Sequence, residues 1–365
     1  MALALVGPGH VGQALLRQVA AAGPGLRLAG RADFRVVALA ASRRMRLSRE
    51  FADPVAAVAR LRGGVKGSGD ATEAGETTEL DALAFHLHEV AAGSGAVPIL
   101  VDCTASDELA NRYEDWLASG IHVVTPNKHA GAGPLTRYRA IGKAARAGGA
   151  RWRYEATVGA GLPVVGTLQD LLATGDELLA VEGVLSGTLA YLLSEREAGR
   201  PFSVSVPRAR ELGFTEPDPR EDLSGMDVAR KMVILARESG ATAEVSQVQL
   251  EGLVPPALAG GGVTAFMSRL GEMDAALEEL FAPLQRPDHV IRYVGRYTPG
   301  ESLHVGPVAL PGRHPFAALG STGSAVALTT RRYASSPLTI QGPGAGPEVT
   351  AAAVFADLLR VAESA

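Results

Sequence analysis

Residues 2–16 read ALALVGPGHVGQALL, in which a short apolar run meets three glycines and then a second apolar pattern. The run from Ala2 to Val6 has the length and composition of a buried β-strand, and the apolar residues after Gly12 recur at helical spacing. Glycines at this spacing between a strand and a helix permit a tight turn, close approach of a pyrophosphate and close helix packing. The phosphates would then lie at the helix N-terminus. The segment therefore predicts a dinucleotide site contacted by the residues of the turn, namely Gly7, Gly9, His10, Val11 and Gly12.

A second strand is predicted from Arg35 to Ala41, and the residues that follow it bear on the choice of cofactor. A site that prefers NAD usually places Asp or Glu at the end of this strand, where the carboxylate binds the ribose 2′-hydroxyl. This chain has Ser42, Arg43 and Arg44 instead. A hydroxyl and a guanidinium suit a 2′-phosphate, so we expect a preference for NADP(H), with Ser42 and Arg43 as its contacts. The alternative, an ordinary solvated surface, applies most readily to Arg44.

Two further strands are predicted at residues 97–103 and 121–124, after a polar, Gly-rich stretch from residue 63 and a helix from Glu79 to Ala92. In an open parallel sheet, ligands bind beyond the carboxyl ends of the strands. Thr104 follows the first of these strands and is therefore expected near the nicotinamide. Cys103, which directly precedes it, is interpreted as a small buried hydrophobic residue.

A densely charged stretch, residues 213–231, reads GFTEPDPREDLSGMDVARK. Pro217 and Pro219 should hold its first half extended, because each proline restricts its own backbone and that of its predecessor. Helical periodicity begins near Asp222, and either Ser224 or Asp222 is a reasonable N-cap. The stretch therefore predicts a rigid acidic loop followed by a helix.

Asp227 and Lys231 lie four residues apart on that predicted helix, so they share one face. Charge runs are usually solvated surface, but here apolar residues flank Lys231 on both sides. Partial burial would allow the pKa of its amine to be tuned for proton transfer. The acidic loop beside it could hold a cationic group of a small substrate, which makes this stretch a candidate site.

This stretch resembles the substrate-binding signature of the homoserine dehydrogenases, and the other landmarks follow in that family's order over nearly the whole chain. Residues 125–128, TPNK, resemble the family's strand-end motif, and residues 183–188, GVLSGT, resemble its GxxxGT segment at the edge of the substrate pocket. The resemblance implies reversible hydride transfer between L-aspartate 4-semialdehyde and L-homoserine. It implies catalytic roles for Lys231 and Lys128, with Lys128 also a cofactor contact near the nicotinamide. It further implies substrate binding by Glu216, Asp227, Gly183 and Thr188.

Another glycine-rich turn follows a strand predicted from Arg151 to Glu155 and leads into a helix. From its residues alone, this turn is a plain connection between a strand and a helix. In the family that the chain resembles, the equivalent turn binds a monovalent cation. The resemblance thus implies a sodium-like ion held by Glu155 and by main-chain oxygens of Val158, Ala160 and Leu162, and oxygen ligands suit such an ion better than zinc.

We expect an α/β dinucleotide-binding domain of the Rossmann type at residues 1–150 and an α+β domain with a mixed sheet at residues 151–337. Alternating apolar residues between 290 and 333 predict antiparallel strands for the second domain. The face of such a sheet commonly forms the interface of a homodimer, which we expect here. Residues 338–365 contain a further glycine-rich loop and a helix. The resemblance implies that this helix packs back on the first domain and that Gly346 lies near the cofactor. The chain ends there, so neither an ACT domain nor a fused aspartokinase is expected.

Composition limits the possible partners. The net charge of −4 provides no basic field for nucleic acid, and no apolar run approaches the roughly 20 residues that span a bilayer. The N-terminus lacks the basic leader of a signal peptide. A single cysteine, Cys103, excludes an internal disulfide and fits a reducing compartment. We therefore expect a soluble cytoplasmic protein without nucleic-acid or membrane partners.

Two other interpretations of the same residues stay open. An aspartate-semialdehyde dehydrogenase would need a cysteine nucleophile, and the chain offers only Cys103 at a strand end. A non-enzymatic dinucleotide sensor would bind the cofactor but would have no use for a charged cluster in a separate domain. Activity that survives replacement of Cys103, and NADPH oxidation in the presence of the semialdehyde, would favour the homoserine dehydrogenase.

Overall fold

The structure, a computed structural model, describes residues 1–62 and 76–364. Part of the Gly-rich stretch expected from residue 63 therefore lies outside the described residues. The chain divides into two compact units. The first contains Met1–Gly161 and Gly346–Ala365, and the second contains Leu162–Ala345.

These boundaries differ from the positions expected from the sequence, residues 150 and 337. The first boundary is later because the short strand Trp152–Arg153 pairs with a strand of the first unit. The second is later because the strand Leu338–Pro343 pairs inside the sheet of the second unit. Strand pairing, which joins residues far apart in the chain, decides both positions.

The first unit is built on a largely parallel sheet in the order β4-β3-β2-β1-β5-β6-β7. Its central strand β1 pairs in parallel with β2 on one side and with β5 on the other. The chain thus reverses its direction of travel across the sheet between β1 and β5, which is where ligands bind in such folds. The strands are β1 Ala2–Val6, β2 Arg35–Ala40, β3 Arg44–Leu47, β4 Glu76–Thr77, β5 Pro98–Asp102, β6 His122–Val124 and β7 Trp152–Arg153.

Helices cover both faces of this sheet. Alternate residues of β1 point to opposite sides, so Ala4 joins one apolar cluster while Leu3 and Leu5 join the other. Each buried leucine contributes about 1.5–3 kcal/mol through the hydrophobic effect. The helices are α1 His10–Leu28, α2 Pro54–Arg62, α3 Leu80–Ser94, α4 Asp107–Ala110, α5 Tyr113–Ala118, α6 Lys128–Ala132, α7 Leu135–Ala147 and a C-terminal helix Pro347–Glu363.

The C-terminal helix belongs to the first unit although the second unit precedes it in the chain. Its apolar side buries Val354 and Leu358 in the cluster that also contains Leu15 of α1. At its N-terminal end, Glu348 forms an ion pair with Arg17 of α1 at 2.7 Å. The chain therefore crosses between the two units twice.

The second unit is built on a mixed sheet in the order β13-β12-β8-β10-β11-β9. All pairings in it are antiparallel except that of β11 with β9, among the pairs in the described residues. The sequence prediction of a parallel first sheet and a mixed second sheet is confirmed. The strands are β8 Leu178–Val184, β9 Gln249–Leu250, β10 His289–Tyr297, β11 His304–Pro311, β12 Gly323–Thr330 and β13 Leu338–Pro343.

The helices of the second unit precede, separate and support these strands. They are α8 Val165–Ala173, α9 Gly187–Glu197, α10 Phe202–Glu211, α11 Pro219–Leu223, α12 Met226–Glu238, α13 Val263–Ser268 and α14 Leu270–Phe281. Helix α12 is buried along most of its length, from Val228 to Arg237. No helix among the described residues is long and apolar enough to cross a bilayer.

The charged stretch at 213–231 folds differently from the prediction at two points. Pro219 does not keep the chain extended but opens α11, because proline has a suitable φ for the first turn of a helix. Asp218 is the N-cap, and its carboxylate accepts the Arg220 N–H at 3.0 Å. The N-cap position of the later helix α12 is Gly225, with φ +72°, rather than Asp222 or Ser224, and the Ser224 hydroxyl accepts the Met226 N–H at 3.2 Å.

Candidate active site

The glycine turn after β1 is open where a ligand would approach. Gly7 has φ +81°, a conformation that favours glycine, and a Cβ there would lie 2.6 Å from the Thr104 methyl carbon. A Cβ at Gly12 would lie 2.7 Å from the Gly7 carbonyl oxygen, so this glycine lets α1 pack closely. At Gly9, by contrast, nothing in the described residues lies within 4 Å of that position. The predicted contacts His10 and Val11 form the first turn of α1, where main-chain N–H groups lack helical partners.

The residues predicted to select the cofactor, Ser42 and Arg43, are exposed in the turn that joins β2 to β3. Because β2 is adjacent to β1, this turn lies at the same carboxyl edge of the sheet as the glycine turn. Strand β3, which begins at Arg44 and runs antiparallel to β2, was not predicted. Its only sequence signal is the alternation of Met45 and Leu47 with arginines.

Thr104 and Lys128 belong to neighbouring strand ends that a buried carboxylate connects. Asp102, the last residue of β5, accepts the Thr104 N–H at 2.7 Å and the Asn127 side-chain amide at 3.0 Å. Asn127 in turn caps α6 by accepting the His129 N–H at 3.0 Å, and α6 begins at Lys128. Sequence reasoning did not single out Asp102 or Asn127, although both stand where predicted strands end.

Tyr113 of α5 completes this network. Its phenol donates to the second carboxylate oxygen of Asp102, Oδ2, at 2.5 Å. Burial, reinforced by the Asp102 charge, raises the pKa of Tyr113 well above its usual value. The Thr125 hydroxyl donates to the Asp102 main-chain oxygen at 2.7 Å. Nothing in the sequence around Tyr113 indicated this role, because the contact depends on how α5 packs against the strand ends.

In the second unit, Lys231 is buried as its apolar neighbours predict, with 8% of its surface exposed. Its Nζ donates to the main-chain oxygen of Leu185 at 2.6 Å. The same atom lies 2.8 Å from Asp227 Oδ2, so the predicted i, i+4 pair is formed. Leu185 follows the end of β8, and its role as an acceptor has no sequence signal.

A second polar cluster surrounds Thr188 near the start of α9. The Thr188 hydroxyl lies 2.9 Å from Asp222 Oδ1 and 2.5 Å from the Phe214 carbonyl oxygen. The other oxygen of Asp222 accepts the Glu216 N–H at 2.8 Å. Burial raises the pKa of Asp222, and the bonds from Glu216 and Thr188 lower it only in part. Asp222 thus organises two predicted substrate contacts, although the sequence indicated it only as a member of an acidic run.

Gly183 is placed less favourably for the substrate contact predicted for it. It is buried inside β8, where it pairs with Gly295 of β10 and Val326 of β12. Gly187 begins α9 next to Thr188, and a Cβ there would meet only the Thr322 carbonyl oxygen, at 3.8 Å, among described atoms. The main chain at Gly187 is therefore the more accessible of the two.

The turn predicted to bind a cation begins at Glu155, which is only 4% exposed. Its carboxylate is already paired with Arg360 of the C-terminal helix, whose Nη1 lies 3.2 Å from Glu155 Oε2. The same guanidinium nitrogen lies 2.8 Å from Asp357, a buried carboxylate that also accepts the Glu155 N–H at 2.8 Å. Burial raises the pKa of Asp357, partly offset by the Glu155 N–H and by Arg360.

The rest of the predicted cation set consists of main-chain oxygens. Val158 and Ala160 are buried, and Ala160 has φ +54°, which is unusual for a residue with a side chain. Leu162 is the first residue of the second unit. No cluster of three or more His, Cys, Asp or Glu side chains that could hold a metal occurs in the described part of the chain. The Leu162 carbonyl oxygen already accepts the Val164 N–H at 2.9 Å.

A doubly wound parallel sheet with a glycine turn that leaves room for a ligand is the arrangement of the dinucleotide-binding proteins. The chain belongs to the homoserine dehydrogenase family, as its resemblance predicted. Residues 163–359 match the family model for homoserine dehydrogenase. Residues 7–155 match the model for the homoserine dehydrogenase NAD-binding domain.

Individual relatives support the same family. The chain is 42% identical over 365 residues to bifunctional aspartokinase/homoserine dehydrogenase 1 of Zea mays, covering 99% of this chain and 38% of that protein. It is 42% identical over 277 residues to the homoserine dehydrogenase of Emericella nidulans, covering 73% and 75%. A crystal structure of a Candida auris protein of unknown function is 34% identical with a TM-score of 0.85, covering 99% and 98%. The chain thus spans well under half of the maize protein.

Proposed function

We propose that this chain catalyses the reversible oxidation of L-homoserine to L-aspartate 4-semialdehyde, with a nicotinamide dinucleotide as the hydride carrier. The observation that carries the proposal is the Lys231 amine, buried and held between Leu185 O and Asp227 in the segment that resembles the family's substrate signature. An ammonium fixed in this way can stabilise and protonate an oxygen on which negative charge develops.

In this reaction the protein transfers a proton to or from the substrate and orients the substrate. In the direction of reduction, the carbonyl carbon gains a hydride and the carbonyl oxygen gains a proton; oxidation reverses both. Bound cofactor supplies or accepts the hydride. Lys231 exchanges the proton with that oxygen, and Lys128 is the second candidate for this role. Glu216 and Asp227 bind the substrate ammonium or hold the lysines, while the Thr188 hydroxyl contacts a polar group of the substrate.

The same proposal includes a preference for NADP(H). The phosphates would lie on the glycine turn and the first turn of α1, with Thr104 and Gly346 as further contacts. Ser42 and Arg43 favour a 2′-phosphate because they are exposed at the end of β2 and the turn that they form contains no carboxylate. In an NAD-preferring site, a carboxylate at this place would repel that phosphate.

The proposal also includes a bound monovalent cation, a homodimer and a cytoplasmic location. A monovalent cation would be held by main-chain oxygens of Val158, Ala160 and Leu162 beside the Glu155–Arg360 pair. If so, sodium chloride should raise the midpoint of thermal unfolding more than choline chloride at equal ionic strength. We also propose a homodimer formed through the sheet of the second unit, and a cytoplasmic location.

The rival chemistry with a cysteine nucleophile is disfavoured by the environment of Cys103. Burial raises the pKa of this thiol well above its usual range, and the neighbouring Asp102 charge raises it further. A thiol of this kind is a poor nucleophile, because the reactive species is the thiolate. Replacement of Cys103 by alanine should therefore leave the proposed activity in place.

The decisive assay follows the absorbance of the reduced nicotinamide when purified protein is mixed with L-homoserine and NADP⁺. The proposal expects reduction of NADP⁺ that depends on homoserine, and NADPH oxidation when the semialdehyde is the substrate. Serine and threonine serve as comparison amino acids. If cofactor binds but no turnover occurs with either substrate, the dinucleotide-sensing interpretation is favoured instead.

A further inference from the structure

One buried carboxylate in the first unit ties together the two strand ends that carry a proposed cofactor contact and a proposed catalytic lysine. Asp102 is fully buried at the carboxyl end of β5. Its Oδ1 accepts the Thr104 N–H at 2.7 Å. Its Oδ2 accepts both the Tyr113 hydroxyl at 2.5 Å and the Asn127 side-chain amide at 3.0 Å. The two oxygens therefore hold different loops, and rotation of the carboxylate would disturb both.

The link from this carboxylate to Lys128 runs through Asn127. The Asn127 amide nitrogen also donates to the Ser106 carbonyl oxygen at 2.8 Å, so its side-chain orientation is determined from two sides. Its side-chain oxygen then caps α6 at His129, and Lys128 is the first residue of that helix. The direction in which Lys128 leaves the main chain consequently depends on the position of Asp102.

Tyr113 orients Asp102 and also contacts the second strand end, where its hydroxyl oxygen lies 3.1 Å from the Thr125 hydroxyl oxygen. Because the pKa of Tyr113 is raised by burial and by the Asp102 charge, its hydroxyl stays protonated and remains a donor. Among the residues that the structure describes, the side chains that donate hydrogen bonds to Asp102 are those of Tyr113 and Asn127, and both are uncharged. A buried charge without a cationic partner is a costly way to stabilise a fold, and well-packed apolar groups would serve that purpose at least as well.

We infer that Asp102, oriented by Tyr113, is a positioning residue that keeps Thr104 and Lys128 in register for hydride transfer. This inference rests on the proposed function. Neither side chain is proposed to contact substrate. Their effect should therefore appear in the rate of the chemical step rather than in substrate binding, because small displacements of aligned groups are costly to catalysis.

The first test compares Tyr113→Phe with Trp116→Phe. Trp116 is a matched control because it is buried on the same helix, with its ring 6.0 Å from that of Tyr113, and has no bond to Asp102. Tyr113→Phe should lower kcat by about 10–100-fold, with KM for homoserine nearly unchanged. Trp116→Phe should lower the midpoint of thermal unfolding but leave kcat per folded molecule close to that of the wild type.

The second measurement needs no turnover. The cofactor-free proteins are treated with an amine-modifying reagent, and the rates at Lys128 and at the exposed Lys143 are compared by mass spectrometry. Tyr113→Phe should change the labelling rate at Lys128 but not at Lys143, while Trp116→Phe should change neither rate. If Tyr113→Phe does not fold, Asp102→Asn retains the side-chain shape and is expected to give the same pattern.

Two results would distinguish a failure of this inference from a failure of the proposed function. If Tyr113→Phe lowers only the unfolding midpoint, with kcat and Lys128 labelling as in the wild type, the network is merely structural and the inference is overturned. If the wild type shows no activity with homoserine, the proposed function fails. In that case the labelling comparison still tests whether the network positions Lys128, because it does not depend on the substrate.

Discussion

The Nζ of Lys231 lies 2.6 Å from the main-chain oxygen of Leu185, a residue 46 positions earlier in the chain. The same nitrogen lies 2.8 Å from Oδ2 of Asp227, which is only one helical turn away. A local carboxylate and a distant carbonyl therefore determine the position of the amine together. The carbonyl cannot be removed by changing a side chain, so the orientation of Lys231 depends on where β8 ends relative to α12.

Lys231→Met should lower kcat by about 10²–10⁴-fold, because it removes the proposed proton donor while preserving most of the apolar stem. KM for homoserine should change much less. Steady-state kinetics in both directions would measure this. The matched control is Lys143→Met at an exposed position on α7, which should behave like the wild type. A Lys231→Met enzyme with a kcat within a few-fold of the wild type would contradict the assignment.

Arg43→Ala should raise KM for NADP⁺ by at least about 10-fold, since a hydrogen bond to a charged group contributes about 1.5–3 kcal/mol. KM for NAD⁺, which lacks the 2′-phosphate, should stay nearly constant. The control is Arg49→Ala, another exposed arginine a few residues later. Equal effects of Arg43→Ala on both cofactors would argue that this arginine does not read the 2′-phosphate.

The raised pKa of Asp222 should make stability depend on pH in a defined direction. Because its pKa in the folded chain lies above the ordinary value of 3.8, the folded chain holds the proton more tightly than the unfolded chain. Its contribution to stability therefore falls as pH rises from that ordinary value to the raised one. Asp222→Asn cannot titrate, so its unfolding midpoint should change less across this window than that of the wild type.

The control for this pH dependence is Asp115→Asn, at an exposed position of α5. Its curve of unfolding midpoint against pH should run parallel to the wild-type curve. Asp222→Asn should keep the local fold, because its carboxamide oxygen can accept the Glu216 N–H and its nitrogen can donate to the Thr188 hydroxyl. Parallel curves for Asp222→Asn and the wild type would show that Asp222 is not the titrating group.

Gly225→Ala should be destabilised more than Gly213→Ala, although both glycines have φ +72°. The shared backbone conformation costs a residue with a side chain about 1–2 kcal/mol. A Cβ at Gly225 would also collide with the Tyr293 hydroxyl, whereas nothing described lies within 4 Å of that position at Gly213. Gly225 precedes α12, so the displacement should reduce kcat as well.

Chemical denaturation of the two variants would measure this difference in the free energy of unfolding. Adding Tyr293→Phe should recover part of the loss at Gly225→Ala, because it removes the nearest atom. The same addition should not help Gly213→Ala. Equal destabilisation of the two alanine variants would mean that backbone strain alone accounts for the cost.

Several elements followed directly from local patterns. The strand Ala2–Val6, the glycine turn after it and the strand Arg35–Ala40 stand where the apolar runs and glycines predict them. The burial of Lys231 was likewise predictable, because its immediate neighbours are apolar. The prediction at Pro219 was wrong because proline fits both an extended segment and the first turn of a helix, and the local sequence does not distinguish the two.

The amino-acid sequence alone determined the central strands Ala2–Val6 and Arg35–Ala40, the glycine turn between strand and helix, and the motifs of the family, because each depends on residues that are close in the chain. Tertiary structure decided which groups meet: Tyr113 with Asp102, Asp222 with Thr188, and Lys231 with the Leu185 carbonyl. Such contacts join segments separated by loops and helices, so their partners are selected only when the sheet and its covering helices pack. Main-chain acceptors such as Leu185 O are present at every residue, and only packing distinguishes the one that holds the amine.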